Sequence, residues 1–222
     1  MAQEESGTVQ VLERASVVFV NGPPRSGKDT FCKHLQAMLN VNSAAKHNGL
    51  IPISMKFAEP IKSSVATTFN LTAQQAYNNF ETEKKDQVSP RFYGKTPREV
   101  LISFSEHWLK PAFGNNIFGR LALHRMVHKA TSFPAAVFIF SDSGFQSEFD
   151  VIYDDFHKCS NPAVYGVHMY REGCTFEGDS RSYIDFRGAV RYIVQNDGTE
   201  EHLRSIASQI ATAIIAGHAL HK

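Results

Sequence analysis

At 222 residues the chain is long enough for one domain with a full core, or for a core carrying a small lid. Apolar residues make up 42% of it and charged residues 20%, and the formal net charge of +1 gives no support to a strong non-specific grip on nucleic acid, although a local basic patch stays open. No apolar run approaches the roughly 18 residues that cross a bilayer, the start from Met1 to Arg14 is too polar for a signal peptide, and three scattered cysteines (Cys32, Cys159, Cys174) form no CxxC pair.

Those features predict a cytoplasmic protein with reduced thiols and no membrane contact, in which the sequon Asn70-Leu71-Thr72 carries no meaning. In chain order, Ser16 to Val20 is a β-branched run leading into a glycine turn, and Thr30 to Leu39 is helical. Ile51 to Phe57 is the second candidate strand. Phe80 to Lys95 is polar and turn-rich and predicts a long loop over the site. Thr96-Pro97-Arg98-Glu99 has the pattern of a capping box with proline at the first helical position, ahead of a helix from Val100 to Leu109. A helix from Ile117 to Lys129 and strands at Ala135 to Phe140, Ala163 to Tyr170 and Val190 to Val194 follow, then a helix from Glu200 to Ala216. Glu172 to Arg187, with its glycines and arginines, reads as a second mobile segment. Continuous apolar strands alternating with helices predict a doubly wound α/β domain: a five-stranded parallel sheet with helices on both faces.

The sharpest motif is Gly22-Pro23-Pro24-Arg25-Ser26-Gly27-Lys28-Asp29-Thr30, a G-x4-G-K placed after a strand and before a helix. A loop that wraps a β-phosphate aims several backbone N–H groups inward, which needs glycine at Gly22 and Gly27. The helix N-terminus then adds its dipole, and Lys28 reaches the β- and γ-phosphates. Residues 22 and 25–30 are therefore the expected ATP contacts: Gly22, Arg25, Ser26, Gly27, Lys28, Asp29 and Thr30. A chance match seldom supplies the strand and the helix as well. After the lysine, Ser or Thr commonly ligates Mg²⁺; here Asp29 stands there, followed by Thr30. Asp142, at the end of the run Val137 to Ser141, is the third candidate for Mg²⁺, directly or through water, or for orienting the acceptor. The plain alternative for Asp142 is a helix N-cap before Phe145 to Phe156.

These pieces resemble the viral deoxynucleoside monophosphate kinases, a branch of the P-loop nucleoside monophosphate kinases. The resemblance is carried by SGKDT at Ser26 to Thr30, FAEPIK at Phe57 to Lys62, GKTPREVL at Gly94 to Leu101, SDSGFQSEFD at Ser141 to Asp150 and NDGTEEHL at Asn196 to Leu203. It implies a P-loop NTPase fold with a core at about 16–57 and 132–217, a helical substrate flap at about 58–131 and a lid at about 172–187. The implied activity is transfer of the ATP γ-phosphoryl group to a deoxynucleoside monophosphate, with Mg²⁺, in a host cytoplasm if the chain is viral. Phe57, Glu59, Lys62, Arg98 and Phe145 would lie on the substrate side. Lys28 and Asp142 would serve the reaction, and the lid arginines Arg171, Arg181 and Arg187 would neutralise transition-state charge, against a plain reading of each as a solvated cation. The family usually reads D-x-R-F after the third strand, whereas this chain has Asp142-Ser143-Gly144-Phe145, so a substrate anion is lost, moved or handled differently.

That departure keeps a second acceptor open, 5-hydroxymethyluracil within DNA, followed by Lys84, Lys85, Arg91, Lys95 and Arg98 along its backbone. A third reading is a P-loop ATPase that acts as a switch. The oligomeric state, a homodimer included, stays open. His124 and His128 have zinc-ligand spacing but no glutamate after the first and no third partner, so the pair reads as accidental. Phe104, Trp108 and Phe113 read as core rather than as base-stacking residues, and Cys32 as a small buried residue.

Overall fold

The computed structural model describes residues 11–159 and 163–219. Its centre is an all-parallel sheet of five strands in the order β2-β3-β1-β4-β5, formed by β1 (Ser16–Asn21), β2 (Ile51–Met55), β3 (Ala136–Ser143), β4 (Ala163–Tyr170) and β5 (Val190–Gln195). Strand β1 is buried along its whole length because it pairs with β3 on one side and β4 on the other. Its alternate residues serve opposite faces. Val17 and Phe19 join Phe138 and Phe140 in one core, and Val18 and Val20 join Val137 and Ile139 in the other. This two-sided burial is why the strands read as unbroken apolar runs.

Helices α1 (Lys28–Val41) and α9 (Glu200–Ala219) cover the second face through Phe31, Leu35, Ile210 and Ile214. The first face is covered by α7 (Ile117–Ser132) and α8 (Gln146–Phe156), through Phe118, Met126, Phe149 and Phe156. A short α2 (Ser43–His47) links α1 to β2.

Between β2 and α7 lies the helical excursion: α3 (Glu59–Thr68), α4 (Ala73–Glu81), α5 (Pro97–Phe104), a π-turn at Ser105–Leu109 and α6 (Lys110–Phe113). The predicted capping box is formed at α5, where the Glu99 N–H donates to Thr96 Oγ1 at 3.1 Å and the Thr96 N–H to Glu99 Oε2 at 2.7 Å. A second box, Thr72 with Gln75, starts α4.

The stretch from Phe80 to Lys95, read as an open loop, is instead tied down. Phe80 and Phe92 are buried with Val65 and Val100 in a small separate core, and short 3₁₀ turns fill the span. Helix α7 contributes to the main core, so only the 59–104 part of the expected 58–131 flap carries a core of its own. β2 ends at Met55, two residues before the predicted end at Phe57, because the chain turns there into α3.

Candidate active site

Three sheet-to-helix turns meet at the carboxyl end of the strands: residues 22–27 after β1, 56–58 after β2 and 144–145 after β3. The first is shaped by two residues with positive φ, Arg25 at +64° and Gly27 at +95°. No side chain fits at the glycines. A Cβ on Gly22 would lie 2.6 Å from the Met169 carbonyl oxygen, and one on Gly27 would lie 2.3 Å from Asn196 Nδ2. The loop closes on itself through Lys28, whose Nζ donates to the carbonyls of Gly22 and Pro23 at 2.7 Å each. Burial, and then the nearby Arg181 charge, lower the Lys28 pKa to about 8. Ser26 Oγ is buried with no hydrogen-bond partner among the described residues. An ammonium donating only to carbonyls and an unpartnered hydroxyl are groups that an anionic phosphate chain would satisfy.

Asn196, outside the predicted site, buttresses this loop. Its side chain donates to the Ser26 carbonyl at 2.9 Å, while its own N–H donates to the Tyr170 carbonyl at 2.8 Å. Arg25 is exposed, and its carbonyl accepts a 3.4 Å bond from Arg171 Nη1, so Arg171 comes to the loop from the lid.

Asp142 sits at the tip of β3, as expected, but its two oxygens accept the N–H groups of Phe57 at 3.0 Å and Ala58 at 3.1 Å. It therefore caps α3 from another element, rather than the helix after its own strand. Burial raises its pKa, and these two N–H bonds oppose the rise. Asp29 is exposed and Thr30 partly so. Among the described residues no cluster of three His, Cys, Asp or Glu side chains could hold a metal unaided. The donor set present, Asp29 and Thr30 with Asp142 behind them, fits Mg²⁺ only as an ion carried largely by phosphate oxygens.

Phe57, expected on the substrate side, is a core residue: its ring stacks on Phe140 with centroids 4.4 Å apart. Only its backbone faces the turn. Glu59 pairs with Arg125, Lys62 with Glu81 at 2.5 Å, and Arg98 with Asp86 at 2.5 Å. Lys56, not singled out from sequence, shares Glu81 at 2.8 Å, and the pair raises its pKa against the opposing effect of burial. Phe145 is partly buried beneath Lys110, whose Nζ is 4.6 Å from the ring centroid. Trp108 and Phe113, read as core, are more than half exposed on the flap.

The lid divides in two. Residues 171–180 are mostly exposed, whereas Arg181 to Arg187 are fastened, which corrects the reading of 172–187 as a mobile segment. Asn21 donates to the Ser182 carbonyl at 2.9 Å and accepts from the Ile184 N–H at 3.2 Å, and Ile184 and Phe186 are buried. Arg187 pairs with Asp150 on α8, away from the loop. Arg181 does reach the site. Its Nε and Nη2 donate to the two oxygens of Asp179 at 2.8 and 2.6 Å, and its charge is felt by Lys28.

Glu148 on α8 was also missed from sequence. It is 4% exposed, its Oε2 has no partner among the described residues, and burial with the Asp142 charge holds its pKa well above the usual carboxylate range. His124 and His128 are exposed and join no metal cluster among the described residues, and Cys32 is buried. Of the five cations considered for a DNA backbone, Arg91 is spent on the carbonyls of Phe69 and Asn70, and Arg98 on Asp86. No described helix is long and apolar enough to cross a membrane. A scan of family models gives no match to this sequence, and neither does a search of curated proteins.

Proposed function

We propose that the chain is a P-loop kinase that transfers the γ-phosphoryl group of ATP to a deoxynucleoside monophosphate. The observation that carries this reading is the Lys28 ammonium, folded back 2.7 Å onto two carbonyls of a glycine loop between β1 and α1. The strand order β2-β3-β1-β4-β5 supports the same reading, because it puts the loop after the central strand at the carboxyl edge where ligands bind.

In this mechanism Lys28 leaves its carbonyls for the β- and γ-phosphates, and the loop N–H groups take the β-phosphate. Bound Mg²⁺ supplies charge neutralisation on the phosphate oxygens. Arg181 exchanges Asp179 for charge developing on the transferred group, and Arg171 approaches from the lid. Asp142, by capping α3, fixes the turn at 56–58 against the tip of β3. An acceptor phosphate is already ionised and needs no base, so positioning and positive charge suffice.

The test is a radiolabelled transfer assay with ATP and Mg²⁺. Acceptors are the four deoxynucleoside monophosphates, and duplex DNA with and without 5-hydroxymethyluracil; Lys28→Ala is the control. Label in a free diphosphate, lost with Lys28→Ala, is expected. Label only in hydroxymethylated DNA replaces the acceptor, and ATP hydrolysis without transfer makes the chain an ATPase.

A further inference from the structure

Gly144 lies at the end of β3 without a positive φ, so no backbone conformation demands a glycine there. What demands it is volume. A Cβ at this position would stand 2.4 Å from Cδ, 2.5 Å from Cγ and 2.9 Å from Cβ of Arg181. The arginine stem thus lies directly on the Gly144 backbone, and the contact is fixed from both sides. The Ser182 N–H donates to the Gly144 carbonyl at 3.2 Å, and Asn21 holds the Ser182 carbonyl. The guanidinium beyond the stem is gripped by both oxygens of Asp179, and the charges of Lys28, Asp142 and Glu148 all act across the same space.

We infer that Gly144 is a specificity-determining position: by lacking a side chain it admits the Arg181 stem over the tip of β3, and so places a guanidinium for the acceptor's phosphate. The inference rests on the acceptor reading above. Asp179 is the exchangeable partner. It keeps the fork oriented while the cleft is empty and yields it to a phosphate, which matches the same bidentate geometry and carries more charge. The cation thus comes from the fastened half of the lid rather than from the strand end it covers. The three atoms nearest to that Cβ all belong to Arg181, so a substitution at Gly144 meets the Arg181 stem first.

Calorimetric titration with each of the four deoxynucleoside monophosphates, with Mg²⁺ and a non-hydrolysable ATP analogue present, separates the outcomes. Gly144→Ala and Arg181→Ala should each weaken acceptor binding by about tenfold or more, and by a clearly larger factor than they weaken binding of the ATP analogue. The double variant should bind no worse than Arg181→Ala alone, because the two positions act as one unit. Arg181→Met keeps the stem on Gly144 and removes only the charge, so it should lose binding while melting like the parent, even if Gly144→Ala folds poorly. Wild-type affinity in Arg181→Met or Gly144→Ala, or losses that multiply in the double variant, overturns the inference and leaves the kinase reading intact. If the unaltered protein binds the ATP analogue but none of the four monophosphates, the acceptor reading and the inference fall together.

Discussion

The glycine loop at 22–28 and the cluster built from Asp142, Gly144, Asp179 and Arg181 face one cleft but are held by different means. The loop is organised by neighbours in sequence: Lys28 bonds carbonyls five and six residues back, and Gly27 supplies the left-handed turn into α1. The opposite cluster is assembled from three distant segments, with Asp142 bonding 84 and 85 residues away and Asn21 tying down a chain 161 residues on. Its cation is also parked on a carboxylate, Arg181 on Asp179, whereas Lys28 rests on neutral carbonyls. The loop is therefore primed to gain from an anion, while the cluster must exchange one anion for another. Substitutions should hurt far more on the first side.

The largest effect is expected at Lys28. Lys28→Met should lower phosphoryl transfer by about 10³-fold or more, because the proposed function has its ammonium meet the β- and γ-phosphates. The same change should raise the melting temperature of the empty protein, since it removes a buried charge that burial already disfavours. Activity and a thermal melt check the two halves; a variant that loses activity and also melts lower breaks the assignment of Lys28 as a strained, functional group.

Next is Gly27→Ala. It forces a Cβ into a residue at φ +95° and to within 2.3 Å of Asn196 Nδ2. ATP affinity should fall by about a hundredfold, with a destabilisation of about 1–3 kcal/mol. Asn196→Ala should remove the clash and recover part of the stability, measured by denaturant unfolding, but not the affinity, because the strained turn remains.

That contrast also explains how much was legible in the sequence. The sheet, the loop and the capping box at Thr96 were readable because each depends on residues close in sequence: an apolar run, a G-x4-G-K, a Thr three before a Glu. Phe57 was misplaced because FAEPIK gives no sign that its ring turns under Phe140, which is 83 positions away. For Asp142 the sequence favours Mg²⁺ and offers a cap on the helix after β3 only as the plain alternative, because a carboxylate at a strand end looks alike whether it serves the next helix or a remote one. Asn21 and Asn196 carried a faint signal, a polar residue closing a buried strand and an Asn-Asp-Gly turn. Gly144 was noticed only as a missing arginine. Its reason, the Arg181 stem, comes from the lid and has no local trace. Glu148 gave no signal, since an acid on an amphipathic helix normally points to water.

A pH series sharpens the comparison because Lys28, on the loop side, has its pKa lowered to about 8. The Lys28 pKa of about 8 lies below the usual lysine value of 10.5, so folding disfavours its charged form relative to the unfolded chain. The cost of burying the charge is present below pH 8 and is relieved as pH rises towards 10.5, so Lys28 makes the empty protein more stable over that window. Phosphate binding needs the charged form, so ATP affinity should move the other way, falling by about tenfold per pH unit above 8. Titrations of the ATP analogue from pH 7 to pH 10 should show this fall, and Lys28→Met should abolish it. A flat profile in the unaltered protein would mean that Lys28 is not the titrating contact.

The smallest effect is expected at Arg98, one of the residues that the family resemblance puts on the substrate side. Its guanidinium is paired with Asp86 at 2.5 Å, but the two side chains are 49% and 54% exposed, so solvent and salt screen the pair. An exposed ion pair of this kind contributes about 0–1 kcal/mol. Its carboxylate partner is far more exposed than Asp179, at 54% against 18%. Arg98→Ala should therefore change stability by less than about 1 kcal/mol and acceptor affinity by less than about threefold, against about tenfold for Arg181→Ala measured in parallel. An Arg98→Ala variant that loses acceptor binding as completely as Arg181→Ala, while keeping its affinity for ATP, would mean that the flap swings Arg98 onto the acceptor. The cleft would then draw its specificity from the flap rather than from the fastened half of the lid.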